Sequence, residues 1–220
     1  MGFYTSAQAH LAMKGKVIVV TGTPGTGKTS LCRHIVRKNR GWVHLDLGRF
    51  VVKANAVIEY DRSLKTNIVD TGVLKKALYT HIQRSVERGV RLLIDGHYAA
   101  EVAPSKYVDY CLVLRCRPDV LWRRLRKIKG YGEEKARRNV ESELTDYCYL
   151  AAKLHLKNRR VVQLDTTRMS IRKLYARFME CYEDDFRHEG DRVDWTSFLL
   201  KHPEKTSFLF REDLSRKVWV

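Results

Sequence analysis

The chain has 220 residues, 44% of them hydrophobic, which suits one domain with its own core, or one domain with an appendage. No apolar run approaches the roughly 18 residues that cross a bilayer, and residues 1–13 lack the long apolar segment of a signal peptide. We therefore expect a protein of the cytoplasm, or of the nucleus in a eukaryotic source, without a membrane partner.

The formal net charge of +17 is concentrated in the first part of the chain. Residues 1–180 hold 35 Lys and Arg against 16 Asp and Glu, a balance of +19, whereas residues 181–220 hold 7 against 9, a balance of −2. Binding nucleotide phosphates needs fewer cations than this, so a polyanionic partner such as RNA is one interpretation. A solvated basic surface without a nucleic-acid role is the other, and we expect no DNA partner.

The five cysteines are odd in number and include no C-x-x-C pair. Most of them fall where strands or helices are predicted. Buried thiols are therefore a better interpretation than disulfides or a zinc site.

A phosphate-binding pattern follows the first predicted strand. Lys16–Val20 is typical of a short buried strand, and Ser30–Lys38 of a helix. Between them, Gly22–Thr29 fits G-x-x-x-x-G-K-[ST] in full, in the strand, loop and helix context that this pattern requires. Loop N–H groups and the helix N-terminus can then face an anion. Lys28 would reach the outer phosphates, and the Thr29 hydroxyl would coordinate Mg²⁺.

The next part of the chain predicts a strand at Trp42–Asp46 and a short helix at Gly48–Ala56. The stretch Glu59–Asn67 is polar and turn-like, which suggests a mobile substrate loop. From Thr71, as the helix cap, apolar residues four apart predict a helix that ends at Gly89.

The second half of the chain continues the alternation of strands and helices. The predicted elements are, in order, strands at Arg91–Asp95 and Tyr110–Leu114, a helix from Pro118 to about Lys127, one long helix at Glu133–Lys157, a strand at Val161–Asp165 and a helix from Ser170 to about Tyr182.

This alternation predicts an α/β fold, a three-layer sandwich with a mainly parallel five-stranded sheet. Ligands of such sheets bind beyond the carboxyl ends of the strands, where the phosphate loop lies. We divide the chain into a flexible leader at 1–14, a P-loop domain at 15–187 and an appendage at 188–220. The appendage contains a candidate helix at Asp194–Lys201 and the apolar segment Ser207–Phe210, and it packs on the core or on a partner.

Asp95 and His97 form a second candidate constellation directly after a predicted buried strand. A carboxylate at this position of a phosphate-loop protein is the expected partner of Mg²⁺. His97 would point into the same crevice and orient water or a phosphate, or it would be a satisfied structural histidine.

A third candidate region is the basic stretch from Arg115 to Arg138, interrupted by Gly130 and Gly132. Phosphoryl transfer depends largely on positioning and on cations that close over the moving group, and a hinged basic hairpin suits such a lid. Most of these cations would belong to a solvated helix face. The subset that we expect to face phosphates is Arg124, Lys129 and Arg137.

Taken in order, these residues resemble the adenylate kinase isoenzyme 6 family, small nucleoside monophosphate kinases of eukaryotic nuclei and archaea. The resemblance covers about residues 15–180. Its motifs are G-T-P-G-T-G-K-T at Gly22–Thr29, Glu59-Tyr60-Asp61 with Asp70 downstream, Asp95-Gly96-His97, Val113-Leu114-Arg115, Leu121, Arg124-Leu125, Gly130-Tyr131, Asn139–Glu143 and Leu164–Thr167.

The resemblance implies the P-loop NTPase fold of nucleoside monophosphate kinases and Mg²⁺-dependent transfer of the ATP γ-phosphate to AMP or another nucleoside monophosphate. It also implies an ATPase role in maturation of the small ribosomal subunit and its rRNA. Residues 46–70 would be the monophosphate-binding segment and residues 129–136 the lid. Asp95 and His97 match a D-x-H motif tied to hydrolysis. The positions that match ATP-binding residues of the family are Gly25, Gly27, Lys28, Thr29 and Ser30. Thr26 of the same loop and Lys129 of the lid are further candidates for ATP binding.

The lid departs from the family pattern in one respect. The family has arginine before Gly-Tyr, whereas this chain has Lys129, one residue further from Arg124. Lysine keeps the charge but loses the planar two-point grip on phosphate.

Two hypotheses follow for the function. The first is a Mg²⁺-dependent nucleoside monophosphate kinase with AMP as favoured acceptor. The second is an ATP-switched assembly factor that binds a small-subunit ribosomal protein or rRNA, in which His97 helps to hydrolyse ATP and kinase activity is incidental. The residues assigned to phosphoryl transfer are Lys28 for the transferring charge, Thr29 and Asp95 for Mg²⁺, and Lys129 and Arg137 for closure over the phosphates.

Overall fold

Five parallel strands form the central sheet of this computed structural model, which describes residues 15–62, 66–157, 159–188 and 190–205. The spatial order is β2–β5–β1–β6–β7, and β3 pairs separately with β4. The predicted sheet is therefore confirmed. The strands are β1 (Val17–Thr21), β2 (Trp42–Asp46), β3 (Val57–Asp61), β4 (Thr66–Val69), β5 (Arg91–Asp95), β6 (Tyr110–Arg115) and β7 (Arg160–Asp165).

Helices alternate with these strands along the described part of the chain. They are α1 (Lys28–Lys38), α2 (Leu47–Lys53), α3 (Thr71–Glu87), α4 (Ala99–Val102), α5 (Pro118–Arg123), α6 (Glu133–Leu144), α7 (Tyr147–His155), α8 (Ile171–Glu183) and α9 (Trp195–Lys201). Short 3₁₀ turns occur at Ser105–Tyr107 and Pro203–Lys205, and a π-helical turn at Arg124–Ile128 follows α5.

The central strand β1 is buried on both faces, as a strand covered by helices on both sides must be. Val17 and Val19 pack into a core with α3 and α7, whereas Ile18 and Val20 pack into a second core with α1 and α8. The sheet is therefore the middle of three layers, and its carboxyl edge carries the phosphate loop.

The cysteine side chains are all buried free thiols. They belong to strands, helices and loops of the core, as the interpretation from the sequence expected. In the parts of the chain that the structure describes, none of the helices has both the length and the apolar character to span a membrane.

The prediction of a turn-like loop at Glu59–Asn67 was wrong for its described residues. β3 and β4 form an antiparallel hairpin that pairs Tyr60 with Asn67 and Asp61 with Thr66. Cross-strand hydrogen bonds satisfy the backbone, while β3 and β4 lie at the surface with almost no buried side chain. Because the side chains are not buried, the sequence lacks the apolar signal by which a strand is usually recognised. The substrate role of this segment stays a prediction.

The prediction of one long helix at Glu133–Lys157 was also wrong. The helix breaks between Leu144 and Tyr147, where Asp146 adopts a left-handed backbone with φ of 55°. The buried Arg115 guanidinium donates to the Glu143 carbonyl at 3.0 Å and to the Asp146 carboxylate. These bonds from a distant strand interrupt the helix between α6 and α7. The spacing of apolar residues along the chain does not reveal this interruption.

The start of α3 differs slightly from its prediction. The cap is Asp70 and not Thr71, because the Asp70 carboxylate accepts from the backbone N–H groups of Gly72 at 2.8 Å and Val73 at 2.9 Å. Aspartate is a stronger N-cap than threonine, and its position one residue earlier lets it reach both donors.

Candidate active site at the carboxyl edge of the sheet

The phosphate loop joins the carboxyl end of β1 to the first turn of α1, as its sequence pattern predicts. Gly22 has a φ of 132°, and a Cβ atom there would lie 2.2 Å from the Leu114 carbonyl oxygen. Only glycine allows the loop to pass this close to β6. The turn leaves the N-terminus of α1 facing the pocket, where its unpaired N–H groups favour an anion.

Lys28 is buried inside this loop. Its Nζ atom donates to the Gly22 carbonyl at 2.7 Å and to the Thr23 carbonyl at 3.1 Å. Burial lowers the pKa of Lys28, although the negative charge of Asp95 opposes that effect. The ammonium therefore lies in the pocket wall with carbonyl partners that phosphate oxygens can replace.

Asp95 ends β5 beside Lys28 and is likewise buried. Burial alone would raise the pKa of Asp95, but hydrogen bonds from His44 and Thr29 and the charge of Lys28 outweigh it, so the pKa is lowered. The carboxylate is therefore ionised at neutral pH. The Thr29 hydroxyl lies near enough to the Asp95 carboxylate to help lower its pKa, so two oxygen donors of the kind that Mg²⁺ prefers lie close together.

His44 and Cys32 complete the surroundings of this carboxylate. His44 Nε2 lies 3.2 Å from Asp95 Oδ2. Donor atoms of Cys32, His44 and Asp95 all fall within 4.8 Å of one another. The sequence analysis did not single out His44, whose only signal was its place in the predicted strand β2.

His97 lies in the same pocket and is exposed to it. Desolvation within the concavity and the charge of Lys28 lower the pKa of His97 to about 4. Water in the pocket weakens both effects, but a ring without charge at neutral pH follows even from a smaller shift. A neutral imidazole can accept a proton or orient water, and the hydrolytic role of His97 stays a prediction.

Lys28, Asp95 and His97 line one cavity of about 450 Å³. It includes every residue predicted above to bind ATP or Mg²⁺. Arg137 is not among the described residues that line it, and its guanidinium lies 3.2 Å from the Glu133 carboxylate. The lining residues are Pro24, Gly25, Thr26, Gly27, Lys28, Thr29, Ser30, Asp46, Gly48, Asp95, Gly96, His97, Arg124, Ile128, Lys129, Tyr131, Thr166, Met169, Ile171 and Leu174.

The basic stretch contributes Arg124 and Lys129 to the cavity wall. Arg124 lies in the π-helical turn, and its guanidinium donates to the carbonyls of Thr166 at 2.8 Å and Thr167 at 3.3 Å. This contact joins the turn to the loop after β7. Lys129 follows the turn, just before Gly130, and lines the cavity. The phosphate-binding roles of Lys129 and Arg137 stay predictions.

A buried carboxylate behind the phosphate loop was not predicted as a functional group. Glu143 accepts a hydrogen bond from the Thr23 hydroxyl at 2.6 Å and from Arg115 Nε at 2.7 Å. Its sequence signal was its place in the Asn139–Glu143 motif, which does not show its partners. The geometry identifies Glu143 as the support of the loop.

Comparisons with known proteins match most of this chain. A family model described as an AAA domain matches residues 18–146. A Methanocaldococcus jannaschii protein named "Putative adenylate kinase" is 30% identical over 179 residues, which cover 81% of this chain and 92% of that protein. The Saccharomyces cerevisiae "Adenylate kinase isoenzyme 6 homolog FAP7" is 30% identical over 130 residues, which cover 59% of this chain and 62% of that protein.

A solved structure is similar in fold. Shikimate kinase from Acinetobacter baumannii, in complex with shikimate, superimposes with a TM-score of 0.53 over 82% of this chain and 99% of that chain. At 16% identity the likeness concerns the fold alone. Together with the parallel sheet and its phosphate loop, it confirms the predicted fold class.

Proposed function

Because the chain belongs to the adenylate kinase isoenzyme 6-like family, we propose that it is a Mg²⁺-dependent nucleoside monophosphate kinase that transfers the γ-phosphate of ATP to AMP, forming two ADP. The observation that carries this proposal is the cavity that holds Lys28, Thr29 and Asp95 together at the edge of the sheet. The name of the M. jannaschii relative supports phosphate transfer between nucleotides.

Three side chains would bind the phosphates and Mg²⁺ in the donor half of the site. Lys28 would exchange its bonds to loop carbonyls for bonds to the outer phosphates, where its charge offsets the charge that develops during transfer. Thr29 and Asp95 fit Mg²⁺, because a hydroxyl and an ionised carboxylate lie adjacent. Mg²⁺, when bound, neutralises and orients the phosphate oxygens.

The acceptor half is assigned to residues 46–70. Asp46 and Gly48 line the cavity at the start of α2, so this segment reaches the donor phosphates. The exposed hairpin of β3 and β4 follows α2 and is available to contact a nucleoside. Lys129 and Tyr131 also line the cavity, and we assign residues 129–136 to the lid.

To test this proposal, the pure protein is incubated with ATP and Mg²⁺, and the rate of ADP formation is measured. We expect ADP to form at least about tenfold faster when AMP is added, because transfer needs an acceptor in the second half of the site. Other nucleoside monophosphates, added singly, measure acceptor preference. ADP release at the same rate without any acceptor would contradict the kinase proposal.

A second candidate function is ATP hydrolysis that drives assembly of the small ribosomal subunit. Its partner would be a small-subunit ribosomal protein or rRNA, and it would act in the cytoplasm or a nucleus. Two observations favour it: the uncharged His97 in the cavity can orient water, and residues 1–180 carry the +19 balance described above. This candidate predicts that RNA or a ribosomal protein raises ADP release in the absence of AMP. RNA binding through these cations would weaken steeply with salt.

His97→Ala separates the two activities. We expect hydrolysis without acceptor to fall by about tenfold or more, while transfer to AMP changes less than about twofold, because transfer does not need an oriented water. Since the pKa of His97 is about 4, hydrolysis should not lose activity as pH falls through about 6.5, where an ordinary histidine gains its proton. Initial rates measured from about pH 5 to 8 check this profile.

The matched control is His188→Ala. His188 is exposed and pairs with Asp184 far along the chain from the cavity, so both activities should stay at wild-type rates. Equal losses of transfer and hydrolysis in the His97 variant would contradict the separate role of this residue.

A further inference from the structure

The segment after α8 is docked onto the edge strand β7 of the sheet. Asp191 N donates to the Gln163 carbonyl at 2.8 Å, and the Asp191 carboxylate accepts from Asp165 N and from Arg177, each at 2.9 Å. Gly190 has a φ of 77°, and a Cβ atom there would lie 2.4 Å from the Gln163 carbonyl oxygen. The backbone therefore approaches β7 as closely as an additional strand.

The docked segment places Trp195 at the start of α9. The Trp195 side chain is buried, with 7% of the residue exposed. Its Nε1 atom donates to Glu143 Oε1 at 2.9 Å, in the protein interior. Asp194 fixes this turn, because its carboxylate caps the Ser197 N–H at 2.9 Å. The appendage thus supplies one of the donors that hold the buried carboxylate.

The same carboxylate holds the phosphate loop through its other oxygen. Glu143 Oε2 accepts from the Thr23 hydroxyl at 2.6 Å. The carbonyl of Thr23 in turn accepts from Lys28 Nζ at 3.1 Å and from the Thr26 hydroxyl at 2.9 Å. A continuous chain of hydrogen bonds therefore runs from Trp195 through Glu143 and Thr23 to Lys28.

We propose that Trp195 is a positioning residue that couples docking of the C-terminal segment to nucleotide affinity at the phosphate loop. This proposal rests on the proposed function, in which ATP binds at that loop. An indole N–H that fixes the Glu143 carboxylate also fixes the loop backbone at Thr23, so less conformational freedom is lost when phosphates bind. Without that bond, Arg115 Nε and Cys116 N still hold Glu143 Oε1, but the carboxylate and the loop have more freedom to lose when the nucleotide binds.

Such a coupling is reciprocal. If docking of the segment increases nucleotide affinity, nucleotide binding must stabilise the docked segment by the same factor. A macromolecular partner that displaced α9 from the core would therefore weaken nucleotide binding by the same factor.

The first experiment measures binding of the non-hydrolysable analogue AMP-PNP with Mg²⁺ by calorimetry. Trp195→Phe keeps an aromatic ring but removes the donor, and we expect the Kd to rise about three- to tenfold, the range that one ordinary hydrogen bond contributes. Thr23→Val removes the other end of the chain of bonds and should have a similar effect. The double variant should be little weaker than either single variant, because both act through Glu143.

The control variant is Leu200→Ala, on the same helix α9. Leu200 is 79% exposed, so AMP-PNP should bind with the wild-type Kd. Steady-state kinetics add a second readout. In Trp195→Phe the KM for ATP should rise while kcat changes less than about twofold, a pattern that a general loss of folded protein would not produce.

Hydrogen exchange supplies a test of reciprocity that does not depend on catalysis. AMP-PNP should slow amide exchange in α9 of the wild-type protein, and this protection should disappear in Trp195→Phe. If the wild-type protein binds no AMP-PNP, the proposed function fails. If it binds, but Trp195→Phe has the wild-type Kd or the double variant is additive, the coupling is overturned.

Discussion

Lys28→Ala is expected to abolish nearly all phosphate transfer and ATP hydrolysis, with kcat lower by about 10²- to 10³-fold. The reason is that Lys28 is the buried cation of the phosphate loop, held at 2.7 Å from the Gly22 carbonyl and beside Asp95. Its charge is needed most when negative charge accumulates on the transferring group. Initial rates of ADP formation, with and without AMP, measure the effect.

The structure offers a matched control for this variant on the same helix. Lys38→Ala removes an exposed lysine at the last turn of α1 and should keep wild-type rates. Lys28→Ala should remain folded, because burial disfavours the charge of Lys28 and alanine has a high helix propensity. A folded Lys28→Ala protein with more than about a tenth of wild-type activity would contradict the role assigned to Lys28.

Arg115→Met is expected to have the largest effect on stability, lowering the free energy of unfolding by about 3–5 kcal/mol. Arg115 and Glu143 are both buried, and their side chains are in contact at 2.7 Å. Methionine fills much of the arginine volume but leaves the Glu143 carboxylate without its cation. Urea denaturation, fitted with a linear dependence on urea concentration, measures the difference.

Arg138→Met is the control for this stability prediction. Arg138 pairs with Glu134 at 2.6 Å, but both side chains are more than half exposed, so the loss should stay below about 1 kcal/mol. If Arg115→Met were equally mild, the buried pair would not be a stabilising feature of the fold. A double variant, Arg115→Met with Glu143→Leu, should recover part of the stability, because the carboxylate that then lacks Arg115 is the partly exposed Asp146.

The Arg115 and Trp195 predictions concern the same carboxylate but different properties. Arg115 supplies the charge that allows Glu143 to be buried, whereas Trp195 and Thr23 use the oriented carboxylate to connect α9 with the phosphate loop. We therefore expect the double variant that recovers stability to keep a weakened nucleotide affinity. Stability and nucleotide binding would then separate experimentally.

Much of the fold was predictable because its signals lie in short contiguous stretches. The run before Gly22 is apolar at every position, which is typical of a strand covered on both sides. The apolar residues four apart that predict α3 likewise lie within its own segment. The hairpin of β3 and β4 was missed for the opposite reason, since its side chains are exposed and no burial pattern distinguishes it from a loop.

The candidate site likewise contains residues that the sequence predicted and residues that it did not. Glycines, a lysine and a hydroxyl in fixed order imply phosphate binding before any tertiary contact is known, and Asp95 at a strand end places a second oxygen at the same edge. The order of residues does not reveal which cationic side chains face the cavity. Arg124 and Lys129 reach the wall, whereas Arg137 lies beside Glu133, because helix rotation and the π-helical turn determine the direction of each side chain.

The sequence by itself determined the parallel sheet, the phosphate loop and the position of Asp95, since each depends on local pattern and on the rule that parallel strands end at one edge. Only the tertiary structure decided that Glu143 supports the phosphate loop and that Trp195 donates a hydrogen bond to Glu143. Those contacts join residues 120 and 52 positions apart. Their partners are selected by packing of separate elements, and no periodicity along the chain records that selection.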